Sequence, residues 1–411
     1  MGDAMRIMRK VAAVGVCVAV GGLTGCHGGK RGAGFGSGEP VRAVWVTRWD
    51  YKTPQDVAAV MENCRQAGFN TVLWQVRGAG TALYRSRIEP WAPEFEGKDP
   101  GFDPLTIACK EAHKRGMTLH AWMNVMPAWH GKTPPTDRRQ LYHSKPQWFL
   151  TDAQGRRQPF GWYMSLNPCL PEVRQYLVSV CYEMVTRYPV DGLHLDYIRI
   201  PNDYHDGYAA LGGVPDYPRD AQTLSMFRRA TGKTPEQDPA AWRNWRASQV
   251  NLLVKQIAEM MNRARPNTAL TAAVGADPDH AFNAHYQDAR RWIAQGWVDG
   301  VFTMNYSGTL AEFDRRADKW TPWAGKAVVA QGVMFDKRSA GVVGAQVQSS
   351  VRRGGHFAAF AYNSLFERRG EGGRLLTDAQ SASRDELRRQ VLPAIRALPS
   401  AAPRAAALSG K

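Results

Sequence analysis

Asp191-Gly192-Leu193-His194-Leu195-Asp196-Tyr197-Ile198-Arg199 is a short strand that ends in charge. Successive side chains on a strand point to opposite sides, so Leu193 and Leu195 share one face and His194 and Asp196 the other. With a helical pattern on either side, such a strand belongs to a β/α repeat whose strand ends carry the chemistry. Outward from it the unit recurs. Strand candidates begin near Val41, Asn70, Met117, Val190, Thr268, Val298, Lys326 and Gly355. Helical patterns follow over 55–67, 103–115, 171–188, 240–265, 283–295, 310–320, 340–353 and 376–397. Eight units, several about 29 residues apart, predict an α/β fold: a single (β/α)8 barrel with enlarged loops after strands 2, 3 and 4. An open doubly wound sheet would carry a glycine-rich first turn, whereas the first strand here runs into Thr47-Arg48-Trp49-Asp50. Helix punctuation agrees: Thr53-Pro54 and Asp103-Pro104 read as N-cap and first-turn pairs, with Gly68 and Gly116 as stops.

The 411 residues suit one large barrel, and 44% hydrophobic content with 14 each of Trp, Tyr and Phe excludes a disordered chain. The charged fraction, 22%, is ordinary, so the formal charge of +16 reflects few acids rather than many bases. No basic low-complexity tail or RNA-module motif accompanies it, which argues against nucleic acid and for anionic envelope polymers or lipid headgroups. At the N-terminus, Arg6, Arg9 and Lys10 precede an apolar Val11–Val20 core and then Leu23-Thr24-Gly25-Cys26, which looks like a bacterial lipobox. The expected organisation is a lipoprotein signal peptide over 1–25, a Gly-rich tether over 26–40, the barrel over 41–398 and a disordered tail over 399–411. Cys26 would be acylated, placing an exported protein on a membrane of the bacterial envelope. Cys64, Cys109, Cys169 and Cys181 lack zinc-like spacing and read as buried thiols.

Barrel enzymes build their sites at strand C-termini. There the second strand offers Gln75 and Arg77, and the third offers His120, Trp122 and Asn124. The fourth gives His194 and Asp196 with Arg199 close by, the sixth Asn305 and Tyr306, and the eighth Tyr362 and Asn363. Such residues suit a sugar: aromatic faces cover its C–H surface while amides, imidazoles and guanidinium groups read hydroxyls. Asp196 is the candidate catalytic carboxylate. A metal site from His194, Asp196, His120 and His356 is the alternative, but a metal-dependent hydrolase of amidohydrolase type would want HxH on the first strand, which ends Trp45-Val46-Thr47.

These segments resemble the glycosyl-hydrolase-like 10 family of exported bacterial (β/α)8 proteins. The matching series is Trp74-Gln75-Val76-Arg77, Ala82-Leu83-Tyr84, Glu89-Pro90-Trp91, Asp103-Pro104-Leu105 and Ala112-His113-Lys114-Arg115-Gly116. It continues through His120-Ala121-Trp122-Met123-Asn124, Leu166-Asn167-Pro168 and Pro171-Glu172-Val173-Arg174 to Asp191–Asp196 and Pro201. The resemblance is strongest from Val41 to Pro201. It implies a glycan-cleaving envelope enzyme, one branch of the family acting on peptidoglycan strands stripped of peptide, with Asp196 as the strand-four acid. Tyr197 stands where many members have a second Asp, Val125 where Pro is frequent, and Ala273-Val274-Gly275-Ala276-Asp277 replaces a Ser-Pro turn.

Glycoside hydrolysis needs two carboxyl groups, about 5–5.5 Å apart for retention or about 6.5–9.5 Å for inversion. Of the acids after the strands (Asp50, Asp277, Asp279, Asp336 and Glu367), Asp277 is the expected partner, because strands four and five are neighbours. In a retaining reaction Asp196 would attack and Asp277 would act as acid, then base, with His194 and Arg199 holding Asp196 ionised. Arg42, Arg48 and Arg77 are candidates to meet a carboxylate on an acidic sugar. No cofactor is called for. Two other readings stand beside the hydrolase: a non-catalytic glycan-binding lipoprotein and a metal-dependent hydrolase or deacetylase.

Overall fold

Ten strands form in chain order: β1 (Arg42–Val46), β2 (Thr71–Arg77), β3 (Thr118–Asn124), β4 (Pro127–His130), β5 (Tyr163–Ser165), β6 (Gly192–Asp196), β7 (Ala269–Gly275), β8 (Gly300–Met304), β9 (Val328–Met334) and β10 (Phe357–Phe360). Eight of them pair in parallel and close in the order β1-β10-β9-β8-β7-β6-β3-β2, with β1 pairing back to β2. The other two, β4 and β5, form an antiparallel hairpin in the insertion after β3. The computed structural model describes residue 35 and residues 39–201, 205–367 and 378–398, with no side chains for 378–380. The expected acylation site Cys26, the expected signal peptide, most of the expected tether and the expected tail 399–411 lie outside the described residues.

Helices form where the punctuation places them. Thr53 caps Pro54–Gln66 with a reciprocal box through Asp56, and Asp103 caps Pro104–Lys114 through the amides of Leu105 and Thr106. The fifth expected helix is instead two, Pro278–His285 and Ala289–Ala294. Tyr286 ends the first in the left-handed region at φ 59°. The break delivers Gln287, whose Oε1 accepts from Gly275 N at 2.8 Å and whose Nε2 donates to Ala273 O at 3.2 Å. Helix Ala221–Thr231, after β6, has no counterpart in the sequence reading.

Two apolar layers result. Val44, Val72, Trp74, Leu193 and Leu195 face outward from the strands into the shell of helices, while Trp45, Leu73, Trp122, Phe302, Ala330 and Ala358 fill the barrel. Phe35, inside the stretch expected as a tether, belongs to the interior layer, its ring 5.3 Å from that of His120. Gly192 lets that ring lie flat on β6, since a Cβ there would come within 2.5 Å of the His120 imidazole. The four cysteines after Cys26 are free and buried, and burial pushes the Cys109 and Cys181 thiols up to about 12.

Candidate active site

Asp196 is the last residue of β6 and opens at the C-terminal mouth of the barrel, 7% exposed. Trp122 Nε1, reaching across from β3, donates to its Oδ2 at 3.2 Å, and the Tyr197 amide donates to its Oδ1 at 2.7 Å. Tyr197 makes that second bond by adopting φ 49°, a left-handed conformation that costs a residue with a Cβ about 1–2 kcal/mol. Its ring packs edge-on against Tyr163 of β5 at 5.0 Å, and the Arg199 guanidinium lies over the Tyr197 ring, 4.5 Å from its centroid. Tyr306, after β8, completes this side: burial first, then the Asp196 and Tyr197 charges, push its phenol well above its ordinary range, so it stays protonated and can donate.

Depth separates the remaining candidates. Residues i and i+2 on a strand share a direction but lie about 6.6 Å apart along it, so His194 lies one layer below Asp196. Trp45 Nε1 donates to His194 Nε2 at 3.2 Å, which leaves the imidazole's Nδ1–H for Thr271 Oγ1 at 2.9 Å. Burial first, then His120, depresses its pKa well below 6.5. A neutral, fully occupied imidazole cannot hold Asp196 ionised or read a sugar, so that expectation is corrected. His120 is likewise fully buried in the barrel interior, packed on Gly192 and 3.4 Å from Thr271 Oγ1. His356 accepts from the amide of Val41, the residue before β1, so it lies at the opposite end of the barrel. Among the described residues no three His, Cys, Asp or Glu side chains are placed to hold a metal.

Arg77 is corrected too. It has no exposed surface; its Nε lies 2.9 Å from both Glu89 oxygens and its NH1 donates to the carbonyls of Asn124, Val125 and Pro127. It is a strut between β2 and the loop after β3, out of reach of any ligand. Asn305 is fully buried and donates to Phe313 O at 2.9 Å and Gln331 Oε1 at 3.3 Å, which fastens the loop after β8 rather than facing the mouth. Gln75 accepts from the Arg48 amide at 3.0 Å and so shapes the loop after β1. Asn124, in register with Asp196, donates to Gly78 O at 3.1 Å and to Tyr163 OH at 3.3 Å. Arg42 donates to Gly68 O at the start of β1, away from the mouth.

Asp277 does not supply the proton-donating acid. Its Oδ1 caps helix Pro278–His285 through the amides of Asp279 and His280, and Lys319 Nζ binds its Oδ2 at 2.7 Å. Burial raises its pKa, but Lys319 and the amides outweigh that, and the net shift is downward. A group held ionised has no proton to give. Asp279 is paired to Arg290 and Lys319, Asp50 accepts from Thr47 N and Oγ1, and Asp336 and Glu367 are exposed.

The mouth also brings Glu94 and Tyr163, which the sequence reading missed, to Arg48, which it named. Arg48, 3% exposed, donates from Nε to Glu94 Oε1 at 2.6 Å and from NH1 to Tyr163 OH at 3.3 Å. Gly78 makes room for it, because a Cβ there would meet the guanidinium at 2.7 Å. Glu94 lies on a single 3₁₀ turn, Pro93–Phe95, and Tyr163 on the short β5; neither carries a periodic signal. Trp49 and Trp162 rim this region at 38% and 40% exposure.

A (β/α)8 barrel with a carboxylate on its fourth barrel strand, flanked by aromatic side chains, has the architecture of glycosidase-type barrels. The glycosyl hydrolase-like 10 family model matches residues 40–351, and the chain belongs to that family. It is 28% identical over 325 residues to the glycosyl hydrolase DigH of Escherichia coli K12, spanning 69% of this chain and 70% of that protein. To the glycosyl hydrolase YngK of Bacillus subtilis 168 it is 26% identical over 323 residues, spanning 69% of this chain and 58% of the relative. Among solved structures, the catalytic domain of a β-amylase from Paenibacillus polymyxa superposes with a TM-score of 0.57 at 11% identity, over 88% of this chain and 99% of that one. An α-L-fucosidase from Paenibacillus thiaminolyticus also gives 0.57, at 13% identity, over 86% of this chain but only 49% of the fucosidase. At these identities the structures share the fold alone.

Proposed function

We propose that this protein is a glycoside hydrolase of the cell envelope, acting on a polysaccharide such as peptidoglycan glycan strands, with Asp196 as its central carboxylate. The observation that carries the reading is the position of Asp196: at the mouth, with N–H donors on both oxygens and the protonated Tyr306 phenol nearby. Two N–H donors suit a carboxylate that attacks, or that stabilises positive charge at the anomeric carbon, better than one that donates a proton. Trp122, Asn124, Tyr306 and Arg199 would border the sugar bound there. The names of the relatives and the family match support hydrolysis of a saccharide. The lipobox-like Leu23–Cys26 supports export and acylation at Cys26, and the charge of +16 supports residence beside anionic polymers.

Glycan binding without cleavage is the second reading, favoured by the commitment of Asp277 to Lys319 and its helix. Peptide-free glycan strands, incubated with the full chain and analysed by mass spectrometry, separate the two. Fragments that disappear with Asp196→Asn and persist in EDTA support hydrolysis. Binding without fragments supports the second reading, and EDTA-sensitive loss of acetyl groups would overturn both.

A further inference from the structure

Among the loops after β1, β2 and β3 lies a cavity of about 200 Å³ lined by Arg48, Trp49, Thr81, Glu94, Trp129 and His130. That is below the roughly 300–1,000 Å³ of a drug-sized site, and suits a single ring. Its charge is balanced inside its own wall. Arg48 spends Nε on Glu94 and NH1 on Tyr163, and its NH2 makes no hydrogen bond among the described residues although the side chain is almost wholly buried. Glu94 uses Oε1 on Arg48, and its Oε2 accepts no hydrogen bond among the described residues. One donor and one acceptor, fixed side by side by a 2.6 Å ion pair, are thus left for a ligand. His130 adds no charge at neutral pH: burial first, then Arg48, lowers its pKa, with Glu94 opposing. Lys52 binds the Glu94 carbonyl oxygen and does not line the cavity. Arg48 in turn lies 4.0 Å over the Trp49 ring, which holds that exposed indole as a platform.

We infer that this cavity is a subsite for an uncharged sugar unit, read through the Arg48–Glu94 pair and excluding units that carry a carboxylate; the inference rests on the glycan reading above and names which kind of unit this cavity binds. The connection to Asp196 runs through Tyr163, whose hydroxyl meets both Arg48 and Asn124, the register partner of Asp196. A neutral group offering an acceptor to Arg48 NH2 and a donor to Glu94 Oε2, as an acetamido group or a pair of hydroxyls does, satisfies both charges. A carboxylate would satisfy Arg48 and face Glu94 as a like charge, which disfavours it. Of the three arginines expected to greet an acidic sugar, Arg48 is the one at the mouth, and its charge is already answered.

Titration calorimetry on the full chain carrying Asp196→Asn, so that cleavage does not intervene, tests this with chitohexaose and its C6-oxidised counterpart, in which every hydroxymethyl is a carboxylate. Chitohexaose should bind at least about tenfold more tightly. Adding Glu94→Gln, nearly isosteric, should shift the ratio of the two affinities by about tenfold toward the oxidised ligand. Trp49→Ala, at an exposed position where folding is not at risk, should weaken both by one factor. Equal or tighter binding of the oxidised ligand, no binding of either, or a ratio unmoved by Glu94→Gln would overturn the inference. Fragments from glycan strands with an unmoved ratio would overturn the subsite alone, and the predicted ratios without any fragments would overturn hydrolysis alone.

Discussion

Tyr197 at φ 49°, directly after the candidate carboxylate, trades backbone comfort for aim: its amide reaches Asp196 Oδ1 only because the chain turns there. Tyr197→Gly should relieve the strain and lose the ring contact with Tyr163, leaving stability within about 1 kcal/mol. Glycan cleavage should stay within a few-fold of the parent, because glycine keeps both the turn and the amide that holds Asp196 Oδ1. A loss of about 10²-fold in kcat/KM would show that the Tyr197 ring, rather than the turn, positions Asp196. Arg77 makes the opposite case. Its pair with Glu89 has no exposed side-chain surface, so Arg77→Met leaves a buried carboxylate without its counter-charge, held only by Tyr176 OH among the described residues, and should cost about 3–5 kcal/mol in chemical denaturation. At this scale the sequence reading reached the position of Asp196 at the end of its strand and missed the burial of Arg77, for one reason. Alternation along a strand reports which way a side chain points, while its depth, and the partner that consumes it, depend on residues far away in the chain.

At the level of elements, helix caps were legible because Thr53, Asp103 and their prolines are local signals, and the structure uses them as read. Asp277-Pro278 was just as legible as a cap, and the same carboxylate cannot also be a proton donor while Lys319 and two amides bind it. Asp277→Ala should lower stability by about 1 kcal/mol, the usual worth of an N-cap, and leave glycan cleavage within a few-fold of the parent. Loss of cleavage in a fully folded Asp277→Ala protein, checked by thermal unfolding and product analysis, would restore it to the chemistry. The β4–β5 hairpin escaped the sequence reading because four and three residues are too few to show a period, yet it brings Tyr163 and Trp129 to the mouth. Glu94 escaped on its single turn for the same reason.

Across the whole molecule, eight repeats close one barrel, and that was legible because each unit restates the same apolar alternation. The interior layer was less so, since His194 and Thr271 fill space there that sequence alone would give to a site. His194 also sets a pH dependence. Its folded pKa lies well below 6.5 through burial, so below about pH 6.5 the unfolded chain takes up a proton that the folded one refuses. Stability from this group is therefore complete above that pH and should fall by up to about 1.4 kcal/mol per unit as the pH drops toward 5. His194→Gln should flatten that part of the slope in urea titrations at several pH values, and an unaltered slope would remove His194 as its source. The central claim is that Asp196, at the mouth of this barrel, cleaves a glycan. The direct measurement is mass spectrometry of peptide-free glycan strands after incubation with the parent chain and with Asp196→Asn at equal thermal stability. The account predicts fragments from the parent and none from the variant; equal fragmentation by both would contradict it.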